Sequence, residues 1–239
     1  MRHLRSCTGW TRASWALALS LVSVLCCAPV AAQIHIPTYT GTPLMITGGV
    51  LNQQILQASV PGARPSADSK RAAQVSTVVP DGPSRMPRQL SQSYPSEARA
   101  EAERFFAELL TGYHGIERQF GIPPRDLAGA VAAFIAGSWM AYRGEPFPDR
   151  DFPPLVDESR RILASLPQLR EAAAPARQDT YEQLAILGMF MATTRMALDR
   201  RPDRVAAANL RQAAKRYLEQ FLAVDAERVQ LGPEGLIVN

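Results

Sequence analysis

Cysteine is scarce in this chain and confined to one place: Cys7, Cys26 and Cys27 all lie in the first 27 residues of 239. If that stretch is removed as a leader, the remainder has no thiol. Cysteine nucleophiles, cysteine-ligated metals and disulfide cross-links are then excluded, and stability must come from a packed core. Histidine is nearly as rare. Beyond His35 only His114 remains, so a zinc site of several imidazoles has no ligands to draw on, and a Ser/His/Asp triad would have to use that one residue. The sequence contains no Gly-x-Ser-x-Gly elbow, no His-Glu-x-x-His pair and no glycine-rich loop followed by Lys-Ser/Thr; Gly48-Gly49 lacks the basic residue behind it. Nothing implies a cofactor or a metal. Lysine is limited to Lys70 and Lys215, so the basic character is almost wholly arginine.

What the chain does have begins at its start. Arg2, Arg5 and Arg12 precede an uncharged, mostly apolar run from Trp15 to Cys27, and Val30-Ala31-Ala32 places small residues where a signal peptidase needs them. Residues 1–32 are therefore expected to be a signal peptide, cleaved before Gln33, on an exported protein of the bacterial periplasm or medium. The run is too short to span a bilayer comfortably. Neither Cys26 nor Cys27 is preceded by the small residue that lipid attachment requires. The cut also changes the charge. The full chain has 26 basic and 22 acidic residues, and losing the three leader arginines leaves 23 against 22. The balance no longer argues for a nucleic-acid partner, and the arginine bias is read as compositional.

Residues 33–93 are rich in Pro, Gly, Ser, Thr and Gln, with Pro37, Pro43, Pro61, Pro65, Pro80, Pro83 and Pro87 among them and no helical period. They are expected to form an extended or flexible tail. From residue 94 to 230 the pattern is helical. Helices are expected over residues 95–120, 124–143, 153–166, 176–199 and 202–224. In the first, Ala98, Ala102, Phe105, Leu109, Tyr113, Ile116 and Phe120 form one apolar stripe. The second has no charge from Leu127 to Tyr142, and the fourth is apolar on nearly every side from Leu184 to Met191. A helix apolar all round is buried all round, so the expected fold is all-α: a compact bundle of about five helices with these two at its centre. Residues 231–239 are expected to be a loose end, with Leu236, Ile237 and Val238 able to add a short extended contact.

The runs Gln119-Phe120-Gly121-Ile122-Pro123, Gly129-Ala130-Val131-Ala132-Ala133-Phe134 and Met140-Ala141-Tyr142-Arg143 resemble an uncharacterised family of exported bacterial all-helical proteins, a domain of unknown function. The segments from Tyr181 to Met189 and from Asn209 to Ala214 fit it too. The resemblance covers residues 89–235 and implies export and the domain limits, but no activity.

Candidate chemistry is thin. Glu158-Ser159-Arg160 resembles the catalytic Glu-Ser of lytic transglycosylases, but the Gly-Leu-Met-Gln segment of those enzymes does not follow. The connection from Arg143 to Phe152 carries Asp149 and Asp151, a hint of calcium that lacks the further ligands of an EF-hand. It reads either as a binding loop on a rigid scaffold or as a connector whose phenylalanines cap the core. Arg195, in line with Leu184, Met191 and Leu198 on an apolar helix, needs a partner, and Asp199 lies four residues on. The candidate binding residues are thus Tyr142, Arg143, Asp149, Asp151, Phe152, Glu182 and Arg195. The expected function is an exported interaction or scaffold module whose partner is another envelope or secreted protein. The alternatives are a membrane-active protein that inserts an apolar hairpin, and an enzyme with a carboxylate site around Asp149, Asp151 and Glu182.

Overall fold

A computed structural model describes residues 76–164, 166, 169 and 171–238. The expected signal peptide, its cleavage site and the tail up to residue 75 lie outside the described residues. Among the described residues six α-helices make up the body: α1 (Met86–Ser91), α2 (Arg99–Gln119), α3 (Leu127–Arg143), α4 (Phe152–Ala164), α5 (Ala174–Arg200) and α6 (Arg204–Leu222). A two-stranded antiparallel sheet comes last, β1 (Val229–Gly232) and β2 (Gly235–Val238), with Val229 opposite Val238 and Gly232 opposite Gly235. The fold is mostly helical, as the periodicity predicts.

The two helices with long uncharged runs, α3 and α5, form the centre. Their backbones meet at two glycines. A Cβ on Gly188 would lie 2.5 Å from the Ala133 carbonyl oxygen, and one on Gly137 would collide with the Gly188 carbonyl. Seven residues further along each helix Gly144 meets Arg195, so α3 and α5 run in the same direction. Phe134, Ile135, Ile186, Leu187 and Phe190 fill the space around this crossing and are almost fully buried. Phe134 in turn carries Tyr217 and Phe221 of α6, at ring-centroid separations of 6.0 and 4.9 Å.

The ends of α3 are set by local chemistry. Asp126, fully buried, caps the start by accepting from the Ala128 N–H at 3.0 Å. Its other carboxylate oxygen takes the Arg160 guanidinium at 2.6 Å, tying α4 to the same end. Gly144 stops the helix with φ +75°, a left-handed turn that glycine makes without a Cβ penalty, and its N–H donates to the Met140 carbonyl at 2.9 Å.

Three sequence expectations are corrected. Residues 77–91 do not stay extended and free. Val79, Met86 and Leu90 are core residues, and residues 77–79 lie along residues 125–127, the Leu127 N–H donating to the Thr77 carbonyl at 2.9 Å and the Val79 N–H to the Arg125 carbonyl at 3.0 Å. Proline and glycine hide this strap from periodicity because three spaced apolar anchors, not a continuous stripe, hold it. The C-terminal residues are likewise not a loose end, and the short extended contact expected of Leu236, Ile237 and Val238 is a strand. They form the β1–β2 hairpin, which docks on α4 through the Leu236 N–H and the Glu158 carboxylate at 2.6 Å. On α2 the inward aromatic is Phe106, fully buried, rather than Phe105, which packs at the core's edge.

Gly188→Ala tests the central crossing. Alanine gains about 1 kcal/mol of helix propensity, but its methyl meets backbone, which no rotamer change relieves. A net loss of about 2 kcal/mol or more is expected, read as a lower denaturant midpoint with an unchanged slope.

Candidate functional site

The carboxylates that the sequence nominates are occupied in holding the structure together. Glu182, 2 % exposed, projects from α5 under the strap. One of its oxygens accepts from the Ser84 hydroxyl and from the Arg85 and Met86 N–H groups, each at 3.1 Å. The other accepts from Gln178 Nε2 at 3.0 Å. It thus satisfies the N–H groups at the start of α1, which has no side-chain cap of its own. Asp149 and Asp151 sit elsewhere, on a one-turn 3-10 helix before α4. Asp151 is buried, with Arg150 Nε 3.5 Å away. Phe152 packs on Phe120 with ring centroids 5.0 Å apart, and Phe147 meets the Trp139 ring edge-on at 6.3 Å. The 143–152 connection is therefore pinned to the core by its two phenylalanines. Glu158 serves the hairpin, and His114 is half-buried on α2. Among the described residues no group of three or more His, Cys, Asp or Glu is placed to hold a metal ion.

A second buried acid joins Glu182. Glu117 lies on the inward face of α2, 3 % exposed. It accepts from the Tyr181 hydroxyl and from the Arg125 N–H, both at 2.9 Å. Burial raises its pKa above the ordinary 4.5, more than these two donors lower it. In sequence Glu117 looks like one more exposed helix acid, because its partner Tyr181 is 64 residues away.

The remaining candidates come together at the opposite end of α3. A cleft of about 290 Å³ opens between the C-terminal ends of α3 and α5 and the first turns of α6. Tyr142, Arg143 and Arg195 line it, joined by Arg204 and by Arg211, which nothing in the sequence pattern sets apart from an ordinary surface arginine. Asp149, Asp151, Phe152 and Glu182 do not line it. Arg195 is fixed by two contacts: Nη2 donates to the Gly144 carbonyl at 2.6 Å, and Nη1 pairs with Asp199, the partner that their spacing predicts. Arg195 therefore closes the carbonyl end of α3 as well as its own ion pair. Arg211 lies over the Tyr142 ring, its Cζ 5.5 Å from the centroid, with Lys215 Nζ at 6.0 Å. Lys215 is itself surrounded by Glu219, Asp225 and Glu227 at 3.3 to 3.8 Å. Asp203, the acid in the cleft wall, caps α6 by accepting from the Val205 and Ala206 N–H groups. One sequence signal does point toward Arg204: the turn Arg200-Arg201-Pro202-Asp203-Arg204, where four residues of five are charged and three are arginine.

Residues 49–239 match the model of a family of unknown function, DUF6683. The match begins well before residue 89, where the sequence resemblance starts, and so takes in the strap. No curated protein and no solved structure matches the chain.

Two substitutions separate the roles of the buried acids. Glu182→Ala leaves the Arg85 and Met86 N–H groups and the Ser84 hydroxyl without their acceptor, at a cost of about 2 to 3 kcal/mol. Faster amide exchange at residues 85 and 86, and proteolytic nicking between 80 and 92, are expected ahead of any change in the α3 and α5 amides. Glu117 gives a pH signature. Because its folded pKa is raised, its contribution to stability is full below about 4.5 and is lost as pH rises through the folded value. Glu117→Gln should flatten that part of a curve of denaturant midpoint against pH.

Proposed function

The chain belongs to the DUF6683 family of unknown function, and on that premise we propose that it is an exported helical binding module that uses the α3–α5–α6 cleft to hold an acidic partner. The observation that carries the reading is the cleft itself. It has guanidinium groups from three helices set around a rigid α3–α5 core, and the acids nearest to it are already engaged. Sites built on rigid elements hold their geometry better than sites on loops. The carboxylates that an enzyme reading requires are dispersed, Glu182 under the strap and Asp149 and Asp151 on the α3–α4 connection. No helix among the described residues is long and apolar enough to cross a membrane, and the α3–α5 pair that a membrane-active reading would insert is packed into the core. Export rests on the leader: three arginines, an apolar run and a small-residue cleavage site before Gln33.

The test is made in the producing cell. Periplasm, medium and carbonate-washed membrane are separated, the N-terminus of the recovered protein is sequenced, and the protein is cross-linked in place. The expected result is a soluble protein that starts at Gln33 and cross-links to one recurring acidic envelope or secreted component. Recovery with an intact leader in carbonate-washed membrane would sink the export reading, and a cross-linking pattern with no recurring component would sink the module reading.

A further inference from the structure

Resting on the binding-module reading, we infer that the cleft is a site for a phosphate-bearing ligand, with Arg143, Arg204 and Arg211 as its free cationic contacts and Arg195 as its fixed floor. Charge is the first argument. Four arginines line the cleft. Asp199 neutralises Arg195, and Asp203 is turned to the α6 N–H groups. Among the described residues Arg143, Arg204 and Arg211 have no ion-pair partner. The C-terminal ends of α3 and α5 each bring about half a negative charge, and the start of α6 about half a positive one. These fractions leave the cleft positive by more than one charge even with both aspartates counted. Arg200 at the end of α5 and Arg201 after it add positive charge next to the cleft.

The number of guanidiniums selects the anion. A carboxylate has one negative charge and two oxygens, which the geometry of a single arginine fork matches. A phosphate monoester carries about two negative charges and three acceptor oxygens, which match several guanidiniums at once. Two of the four are already positioned, Arg195 by the Gly144 carbonyl and Arg211 by the Tyr142 ring, so less side-chain entropy is lost on binding. The space of about 290 Å³ exceeds what a bare ion needs, and Leu198 and Leu210 are in the wall. A phosphate on a small organic body fits, either a soluble phosphoester or the headgroup of an anionic phospholipid.

The experiment uses the full chain purified from cells that express it, with pyrophosphate, glycerol 3-phosphate and citrate as probes at matched ionic strength. The surface is tested with phosphatidylcholine vesicles with and without phosphatidylglycerol. The variant is Arg143→Gln/Arg204→Gln. Both positions are exposed and their side chains have no ion-pair partner among the described residues, whereas Arg195→Gln would also uncap α3. Phosphate probes are expected to bind, and the double variant to weaken them about tenfold or more, with its unliganded thermal midpoint unchanged. Binding of glycerol 3-phosphate without a preference for phosphatidylglycerol identifies a soluble phosphoester. Sedimentation with phosphatidylglycerol vesicles, lost in the variant, identifies a lipid headgroup. The inference is overturned if citrate binds as tightly as pyrophosphate, or if the double variant binds phosphate as the parent does. Either result leaves leader removal and partner cross-linking, which are read in the cell, standing or falling on their own.

Discussion

The backbone contact between Gly137 and Gly188 governs the geometry of the core and, through it, of the cleft. Helices usually pack 8 to 10 Å apart, with the distance fixed by the side chains between them. Here the absence of side chains lets α3 and α5 approach until one helix's carbonyls occupy the space where the other's Cβ would be. That approach fixes the register of the pair, and the register places Arg195 beneath the Gly144 carbonyl, two turns away along both helices. The cleft is thus a consequence of the core. Its back wall is the end of the same two helices, in a position that cannot drift without breaking the crossing.

Because α3 and α5 run in the same direction, their carbonyl ends lie at one end of the bundle and their N–H ends at the other. Toward the N–H end the molecule places acids: Asp126 caps α3, and Glu182 in the third turn of α5 turns outward to the strap. At the carbonyl end it places arginines, Arg143 in the last turn of α3 and Arg200 in the last turn of α5. Asp126, Arg143 and Arg200, at the cap or in the end turns, agree with the helix macrodipole, whereas Glu182 lies too far along α5 for that and serves the strap. The dipole alone does not require four guanidiniums in one cleft, since two helix ends together amount to about one charge.

The helices are legible in the sequence because their signals are local. Uncharged runs mark α3 and α5, a single stripe marks α2 and α6, and Pro, Gly and Asp mark the boundaries. What escapes a sequence reading depends on partners distant in the chain. The strap at 77–91 has too few apolar residues to show a period, and it is recognisable only once Glu182, about 96 residues on, is seen to accept its N–H groups. The hairpin strands are four residues each, too short to outweigh a reading as chain end, and their dock is Glu158, 78 residues earlier. The site divides the same way. Tyr142, Arg143 and Arg195 stand out by local oddity and do share the cleft, but the oddity of Asp149 and Asp151 is explained by a tight turn. Arg204 is marked only by the charged run around it, and Arg211 looks ordinary on an amphipathic helix and acquires meaning only from what faces it.

These observations meet in the charge pattern. Counted from residue 33 onward the chain is nearly neutral, 23 basic against 22 acidic residues, so a basic cleft has to arise from where charges are placed rather than from how many there are. Several acids serve as acceptors for backbone N–H groups. Glu182 takes the N–H groups of Arg85 and Met86, Glu117 that of Arg125, Glu158 that of Leu236, and Asp203 those of Val205 and Ala206. Each ties a strap, a turn, a hairpin or a helix start to the body, in a chain whose described part has no cysteine to do so. Arginine cannot take that role, because it has donors and no acceptor. Acids are accordingly spread over the docks of the strap, the turn and the hairpin, while arginines gather at the carbonyl ends of α3 and α5, which favour positive charge. The cleft's positive charge comes from that placement: four arginines line it against one acid, Asp203, whose oxygen is taken by two N–H groups of α6.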